Sequence, residues 1–305
     1  MLITQFFKNF LHSSQSSGIV LMVCVGISLM IANSSIAESF QALLDQKIGT
    51  EIFQLNYPLS IWINDGLMAI FFLLVGLEIK REIIEGELSS VKSASLPIVA
   101  AIGGMLVPAL IFYAFNYGTA YEKGWAIPMA TDIAFSLAII SMLGRKVPLS
   151  LKIFLAALAI VDDLGAIVVI ALFYTDQIHW NYLALSGLMV AILMILNFLN
   201  FKKHVFYVIP GIILWYFMHH SGIHATIAGV LLAFTIPTNL STTELSPLEK
   251  LEQKLHLPVN FLIMPIFALA NTNITFKAGM VDGLFSNFGY GIIVGLFLGK
   301  IVGIN

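Results

Sequence analysis

The sequence predicts an all-α polytopic membrane protein, and its composition and its long apolar runs both lead to that fold class. Of its 305 residues, 59% are hydrophobic and only 10% are charged, whereas a typical soluble domain has about 25% charged residues. Apolar runs of about 20 residues, the length that crosses a bilayer, recur along the chain. These observations exclude a water-soluble fold and predict one transmembrane domain over residues 1–305.

Ten candidate spans follow from apolar runs that polar residues, glycine or proline interrupt. Their ranges are 13–33, 60–80, 96–116, 124–143, 150–174, 181–200, 205–219, 222–236, 258–272 and 288–304. The seventh to ninth are short for a full crossing, which indicates tilt, local bilayer thinning or boundaries drawn too tightly. Only a weak cleavage signal follows the first run, so we interpret it as a retained span rather than a signal peptide.

The segment 45–58 separates the first two spans, and its residues TEIFQLNY alternate between polar and apolar. Alternation with a period of two residues is typical of a β-strand. We therefore predict a small β-hairpin outside the membrane in this segment.

Basic residues predict the orientation of the chain. Eleven of the fifteen Lys and Arg residues fall on one side of the predicted spans, three fall on the other, and Lys300 lies inside a span. Because positively charged loops stay in the cytoplasm, we expect a cytoplasmic N-terminus. The net charge of -2 and the short basic loops exclude a nucleic-acid partner.

Two adjacent carboxylates, Asp162 and Asp163, lie near the middle of the fifth span. Asp162 is about 18 Å from either end of that helix, and an ionisable group at such a depth costs at least about 2.5 kcal/mol. A buried salt bridge in a soluble core helix is the alternative, which the ten apolar spans argue against. Neighbouring helical residues point in different directions, so we expect one carboxylate to coordinate a cation and the other to pair with a base. Oxygen ligands favour a hard cation such as Na⁺ or Li⁺.

Lys300 is the candidate base for this pair, in the tenth span. Glycines at four-residue spacing, Gly291, Gly295, Gly299 and Gly303, give that helix a smooth face that allows a neighbouring helix to approach closely. The alternative is a lysine that extends to the membrane interface from near the chain end. Position along the sequence leaves both interpretations open.

The fourth span contains Pro128, Thr131 and Asp132. Proline removes one helical hydrogen bond, and the two polar side chains can bond to the freed backbone, so we predict a broken helix here. Broken helices expose partial charges at the binding sites of transporters. An ordinary proline kink with a capping aspartate is the alternative.

Charged residues at the end of the second span form a possible pH-responsive cluster with a second mixed group further along. These residues are Glu78, Arg81, Glu82, Glu252 and His256. A solvated, charge-paired helix end is the competing interpretation, since surface pairs are common and weak. His224, at the start of the eighth span, fits either neutral packing or proton sensing.

The motifs FFLLVGLEIKRE, GWAIPMATDIAFSL, VPLSLKIFLAALAIVDDLGAI, SGIHATIAGV and GLFLGK resemble the NhaA family of sodium/proton antiporters along nearly the whole chain. The resemblance implies an inverted-repeat fold in the bacterial inner membrane, a homodimer, no cofactor, and exchange of Na⁺ or Li⁺ for protons that is activated at alkaline pH. It implies that Asp163 is the principal ligand, that Asp162 pairs with Lys300, and that Thr131 and Asp132 lie at the helix break.

Family members have twelve spans, and this chain ends before the last two, so the fold is expected to be C-terminally incomplete. We accordingly expect little transport from residues 1–305 alone. Two other classes stay open on the residues themselves. A sodium-coupled symporter would need a larger polar pocket near the aspartates, and a channel or structural subunit would need no coupling to protons.

Overall fold

The computed structural model describes residues 14–129, 147–174, 178–238 and 245–305. The chain divides into two compact units. The first comprises Met1–Arg81 with Thr175–Thr275, and the second comprises Glu82–Tyr174 with Phe276–Asn305. Both units are helical, so the predicted all-α polytopic class is confirmed.

Unit 1 begins with two helices, α1 and α2, that meet at an angle of 111°. A short antiparallel pair of strands, β1 and β2, follows, with Lys47 opposite Pro58 and Ile48 opposite Tyr57. Five further helices complete the described part of the unit. The bounds in chain order are α1 Ser14–Ala32, α2 Ala37–Asp45, β1 Lys47–Ile48, β2 Tyr57–Pro58, α3 Leu59–Ile84, α6 Trp180–Phe198, α7 Val205–Ser221, α8 Ile227–Thr235 and α9 Pro247–Asn271.

Unit 2 is built on the long helix α4, against which α5 and α11 pack. A 3₁₀ helix over Glu122–Met129 leads toward residues that the structure does not describe. The helices in chain order are α4 Val91–Asn116, α5 Leu149–Phe173, α10 Met280–Leu284 and α11 Asn287–Ile304. Pro97 and Pro108 lie inside α4, which a membrane helix tolerates when its neighbours satisfy the freed backbone.

In the described ranges, three spans contain a π-helical turn, a rare element that occurs often at functional sites. These turns are Trp62–Leu67 in α3, Val259–Ile263 in α9 and Gly295–Gly299 in α11. Each turn changes the register of its helix without ending it. The helices therefore continue as single spans through all three.

Within the described ranges, six helices are long and apolar enough to cross a membrane, or seven when the bent α1–α2 pair is counted as one span. They match predicted spans closely in α4, α5 and α6. The ninth predicted span was too short because α9 begins at Pro247, eleven residues before the predicted start at 258. Its first turns carry Glu249, Lys250, Glu252 and Lys254, and this charge concealed the start of the helix.

Small residues let the helices of unit 1 approach closely around a core of leucine, isoleucine and tyrosine side chains. A Cβ atom added at Gly76 of α3 would lie 2.7 Å from Cβ of Ala233 in α8, and one at Gly229 would overlap the backbone of Ala69. Such close backbone contacts are typical of membrane helix pairs. They place the C-terminal end of α8 beside the end of α3.

Candidate functional site

An ion pair between Lys300 and Asp162 joins two helices of unit 2. The Nζ atom of Lys300 is 2.9 Å from Oδ2 of Asp162, and the exposed fractions of the two side chains are 15% and 1%. Ala157, Leu158 and Ala159 of the same helix are also buried. Because an isolated buried charge is strongly unfavourable, the lysine and the carboxylate stabilise one another here.

A second bond fixes the lysine, since Nζ of Lys300 also donates to the backbone oxygen of Met129 at 2.5 Å. Met129 is the last residue of the 3₁₀ helix Glu122–Met129. The lysine thus joins α5, α11 and the segment that leads toward Asp132. Sequence patterns gave no signal for this carbonyl, because a backbone acceptor can belong to any residue type.

The glycine face of α11 explains how Lys300 comes so near to α5 and α4. A Cβ atom at Gly299 would lie 2.9 Å from Cα of Pro108, and one at Gly303 would overlap the carbonyl of Gly103. A Cβ atom at Gly295 would lie 3.2 Å from the backbone oxygen of Pro108. The predicted close approach of a neighbouring helix is therefore confirmed, and the neighbour is α4.

Contacts between α4 and α5 complete the packing around the pair. A Cβ atom at Gly165 would overlap the side chain of Met105, so the glycine leaves room for the methionine one turn beyond Asp162. Ala101 and Leu158 belong to one buried cluster, against which Ile304 packs. Leu158 and Ile304 lie one turn from Asp162 and Lys300, so apolar side chains of three helices pack next to the pair.

Asp163 follows Asp162 on α5 and is half-buried. Consecutive residues on a helix point about 100° apart, so the two carboxylates point in different directions. Thr131 and Asp132, the predicted residues of the helix break, lie outside the described residues. The described part of this site thus contains Asp162, Asp163 and Lys300.

The acidic and basic residues predicted to respond to pH are partly brought together in unit 1. Oε1 of Glu78 is 3.2 Å from Nε2 of His256, and Nε of Arg81 is 3.0 Å from Oε2 of Glu252. Both pairs join the C-terminal end of α3 to the first turns of α9. Glu82 falls in the sequence range of unit 2, and His224 is exposed in the turn before α8.

Lys80 is a residue that the sequence reasoning missed, because it was treated only as one of the basic residues that mark a side of the membrane. Its side chain is buried, and Nζ donates to the backbone oxygens of Phe234 and Ile236 at 2.9 and 2.5 Å. These carbonyls end α8, where helical acceptors lack partners and a cation is favoured. Lys80 therefore caps α8 beside the charge pairs of α3 and α9.

Comparison with known proteins identifies the family. A sequence profile of the family described as Na+/H+ antiporter 1 matches residues 8–305. The chain belongs to this family. The resemblance to NhaA proteins that was seen in the motifs is thereby confirmed, and the family is one of transporters.

Three relatives illustrate the similarity. The Na(+)/H(+) antiporter NhaA 2 of Flavobacterium johnsoniae is 58% identical over 301 residues, which cover 98% of this chain and 74% of the relative. The Na(+)/H(+) antiporter NhaA of Flavobacterium psychrophilum is 51% identical over 304 residues, covering 100% and 77%. The Na(+)/H(+) antiporter NhaA of Cytophaga hutchinsonii is 49% identical over 304 residues, which cover 100% of this chain and 77% of the relative.

Proposed function

We propose that the protein exchanges Na⁺ or Li⁺ for protons by alternating access. The observation that carries this proposal is the buried pair of Lys300 and Asp162, 2.9 Å apart, next to Asp163 on the same helix. Membership of the family, whose relatives carry the name Na(+)/H(+) antiporter, supports it. An isolated ion pair that served only to hold the fold would not require a second carboxylate at the middle of the span.

The exchange follows from competition for one pair of carboxylates. Asp163 and Asp162 offer hard oxygen ligands, which suit Na⁺ and Li⁺ better than softer metals. Protonation neutralises the same oxygens, so a site that holds protons cannot hold the cation at the same time. No covalent chemistry and no resident cofactor enter this scheme, because the ions are the cargo. Thr131 and Asp132 are proposed to add ligands and to compensate the charges of the broken helix.

Activation at alkaline pH is the second part of the proposal. Histidine ordinarily changes its charge between pH 5 and 8, so the link between His256 and Glu78 weakens as pH rises. Arg81 keeps its charge over that range, and its link to Glu252 persists. We therefore propose that α3 and α9 are joined more loosely at alkaline pH. Glu82 is proposed as a further pH-response residue from the resemblance, and His224 from its position at the start of the eighth predicted span.

We also propose a location in the bacterial inner membrane with a cytoplasmic N-terminus, because eleven of the fifteen basic residues fall on the side of the N-terminus. A homodimer is proposed from the resemblance. Reporter fusions in the segments after α3 and α4 would give opposite results for the two sides. A reversed pattern would contradict the orientation.

Two measurements test the proposed exchange. In membrane vesicles with an acidic interior, a pH-sensitive dye should regain fluorescence on addition of Na⁺ or Li⁺ and not of K⁺, and the Asp163→Asn variant should give no response. The recovery should be weak with residues 1–305 alone, as expected from the sequence. With purified protein, Na⁺ binding should release protons, again only when Asp163 is present.

Each alternative class predicts a different result. A channel would give Na⁺ flux without proton movement, and a structural subunit would show the same behaviour with Asp163→Asn as without it. A symporter would respond to Na⁺ only when an organic solute was also supplied. If the purified protein releases protons on Na⁺ binding but the vesicles show no dye recovery, the result would support the shared ion site and contradict exchange by this chain.

A further inference from the structure

A second acid–histidine pair lies in unit 1, in residues to which neither the motifs nor the resemblance gave a role. Nδ1 of His219 is 3.1 Å from Oδ2 of Asp65, and the exposed fractions of the two side chains are 11% and 29%. Asp65 lies in the π-helical turn of α3, and His219 lies in the last turn of α7. The pair therefore joins an irregular turn of one helix to the end of another.

Aromatic rings hold the imidazole of His219 in place on two sides. The ring of Trp215 stacks on it with centroids 5.6 Å apart and an interplanar angle of 22°, and Tyr57 meets it edge-on at 4.7 Å and 76°. The indole N–H of Trp215 donates to the backbone oxygen of Asp65 at 3.0 Å. The ring is thus fixed against the carboxylate.

Three features of these surroundings place negative charge or electron density against the imidazole. The carboxylate of Asp65 supplies an opposite charge at contact distance, and the face of Trp215 attracts a cation. The end of α7 adds the partial negative charge of helical carbonyls, which favours a cation in the last turn. Proton binding at His219 is therefore coupled to the contact with Asp65.

Other titratable groups, His220 and three tyrosines, face this pair. His220 directs Nδ1 to the backbone oxygen of Tyr216 at 2.9 Å, and its ring contacts those of Tyr182 and His219. Burial raises the pKa of the Tyr57 hydroxyl, and the nearby Tyr216, Asp65 and Tyr182 raise it further. The phenol of Tyr57 accordingly stays neutral where histidine titrates.

We infer that Asp65 and His219 form a second proton-binding site, which fastens the end of α7 to the π-helical turn of α3 when His219 is protonated. It is separate from the Glu78–His256 pair, because thirteen residues of α3 place Asp65 about 20 Å from Glu78. Raising the pH removes the imidazole proton and the charge that holds Asp65. The contacts Asp65–His219 and Glu78–His256 lie near opposite ends of α3, and both are weakened at alkaline pH.

Tryptophan fluorescence reports on this site directly, because a protonated imidazole in contact with an indole quenches its emission. The four tryptophans are Trp62, Trp125, Trp180 and Trp215. In the full chain with Trp125→Phe and Trp180→Phe, Trp215 remains with Trp62, whose ring stacks on it. Emission should rise between pH 5 and 8 as His219 loses its proton.

Three near-isosteric variants in that background decide the inference. His219→Gln should abolish the rise, and Asp65→Asn should move its midpoint, since the carboxylate charge beside the imidazole is lost. His220→Gln is the matched control and should leave the midpoint in place. A rise that persists in His219→Gln, a midpoint unmoved in Asp65→Asn, or a rise that is lost only in His220→Gln would each overturn the inference.

A role of this site in regulation rests on the proposed function. If the contact between Asp65 and His219 restrains transport at acid pH, the His219→Gln variant should begin to exchange Na⁺ for protons at a lower pH than the wild type. The fluorescence titration requires no transport, so a failure of the proposed function would leave the proton-binding result intact. An unchanged pH profile together with the expected fluorescence would overturn the regulatory role.

Discussion

Lys300 and Asp162 stand 2.9 Å apart although 138 residues separate them along the chain. One lies directly after a π-helical turn in α11, and the other lies in the middle of α5. The pair therefore makes the packing of α5 against α11 depend on both charges, which leads to the first prediction.

Replacing Lys300 with Met should lower the free energy of unfolding by about 3 to 5 kcal/mol, because the buried carboxylate of Asp162 loses its counter-charge. Adding Asp162→Asn should restore part of that loss, since the uncompensated charge is then removed. Thermal unfolding of the purified protein in detergent measures both effects. Lys277, an exposed lysine of the same unit, provides the control, and Lys277→Met should change stability by less than about 0.5 kcal/mol. Equal stability of Lys300→Met and the control would contradict the prediction.

Lys80→Met should destabilise the protein by about 1 to 3 kcal/mol, because two backbone oxygens at the end of α8 lose their donor. The effect should be local, so hydrogen exchange in α8 should accelerate more than exchange in α6. Lys250 is exposed in α9, and Lys250→Met serves as the matched control. A uniform change of exchange across unit 1 would show that Lys80 has no special role at α8.

Gly299→Ala should destabilise unit 2 by about 1 to 3 kcal/mol, because the added methyl would lie 2.9 Å from Cα of Pro108. The shift of α11 away from α4 should also reduce proton release on Na⁺ binding, since Lys300 is the next residue. Gly187 in α6 has no heavy atom within 4 Å of an added Cβ, so Gly187→Ala should be neutral or slightly stabilising. Both substitutions are followed by thermal unfolding, and similar values for the two would argue against close packing at Gly299.

The Glu78–His256 pair should stabilise the protein only when the imidazole is protonated. A double-mutant cycle with Glu78→Gln and His256→Gln should give a coupling energy of up to about 1 kcal/mol at pH 5.5, because both side chains are partly exposed. At pH 8.5 the coupling should be close to zero. A coupling that stays constant over this range would mean that the contact does not depend on the proton.

The helices were predictable from sequence wherever apolar length was the deciding property. The runs in α4, α5 and α6 have few charges, and their predicted and observed bounds differ by a few residues. The start of α9 could not be found in this way, because Glu249, Lys250 and Glu252 lie in a capped, charged first part. The capping box of Ser246 and Glu249 was a signal that could have revealed this start.

The site was predictable where a charge stood in an apolar run, as with Asp162, Asp163 and Lys300. A buried charge needs a partner, which made Lys300 a candidate base. Its place near the chain end left an interfacial lysine equally open, and only the resemblance paired it with Asp162. Lys80 escaped this reasoning because it lies near the end of its span, where a lysine normally reaches water. The Asp65–His219 contact depends on the fold of α3 against α7, and no spacing in the sequence reports it.

The π-helical turn Gly295–Gly299 has a consequence for the angular position of the glycines in α11. Residues four apart on an α-helix are displaced by about 40°, so the three steps from Gly291 to Gly303 would turn that row by about 120°. One extra residue in a single wide turn removes about 100° of this drift. All four glycines can then face α4, and deleting one residue from this turn should rotate Lys300 away from Asp162 rather than merely shorten the helix.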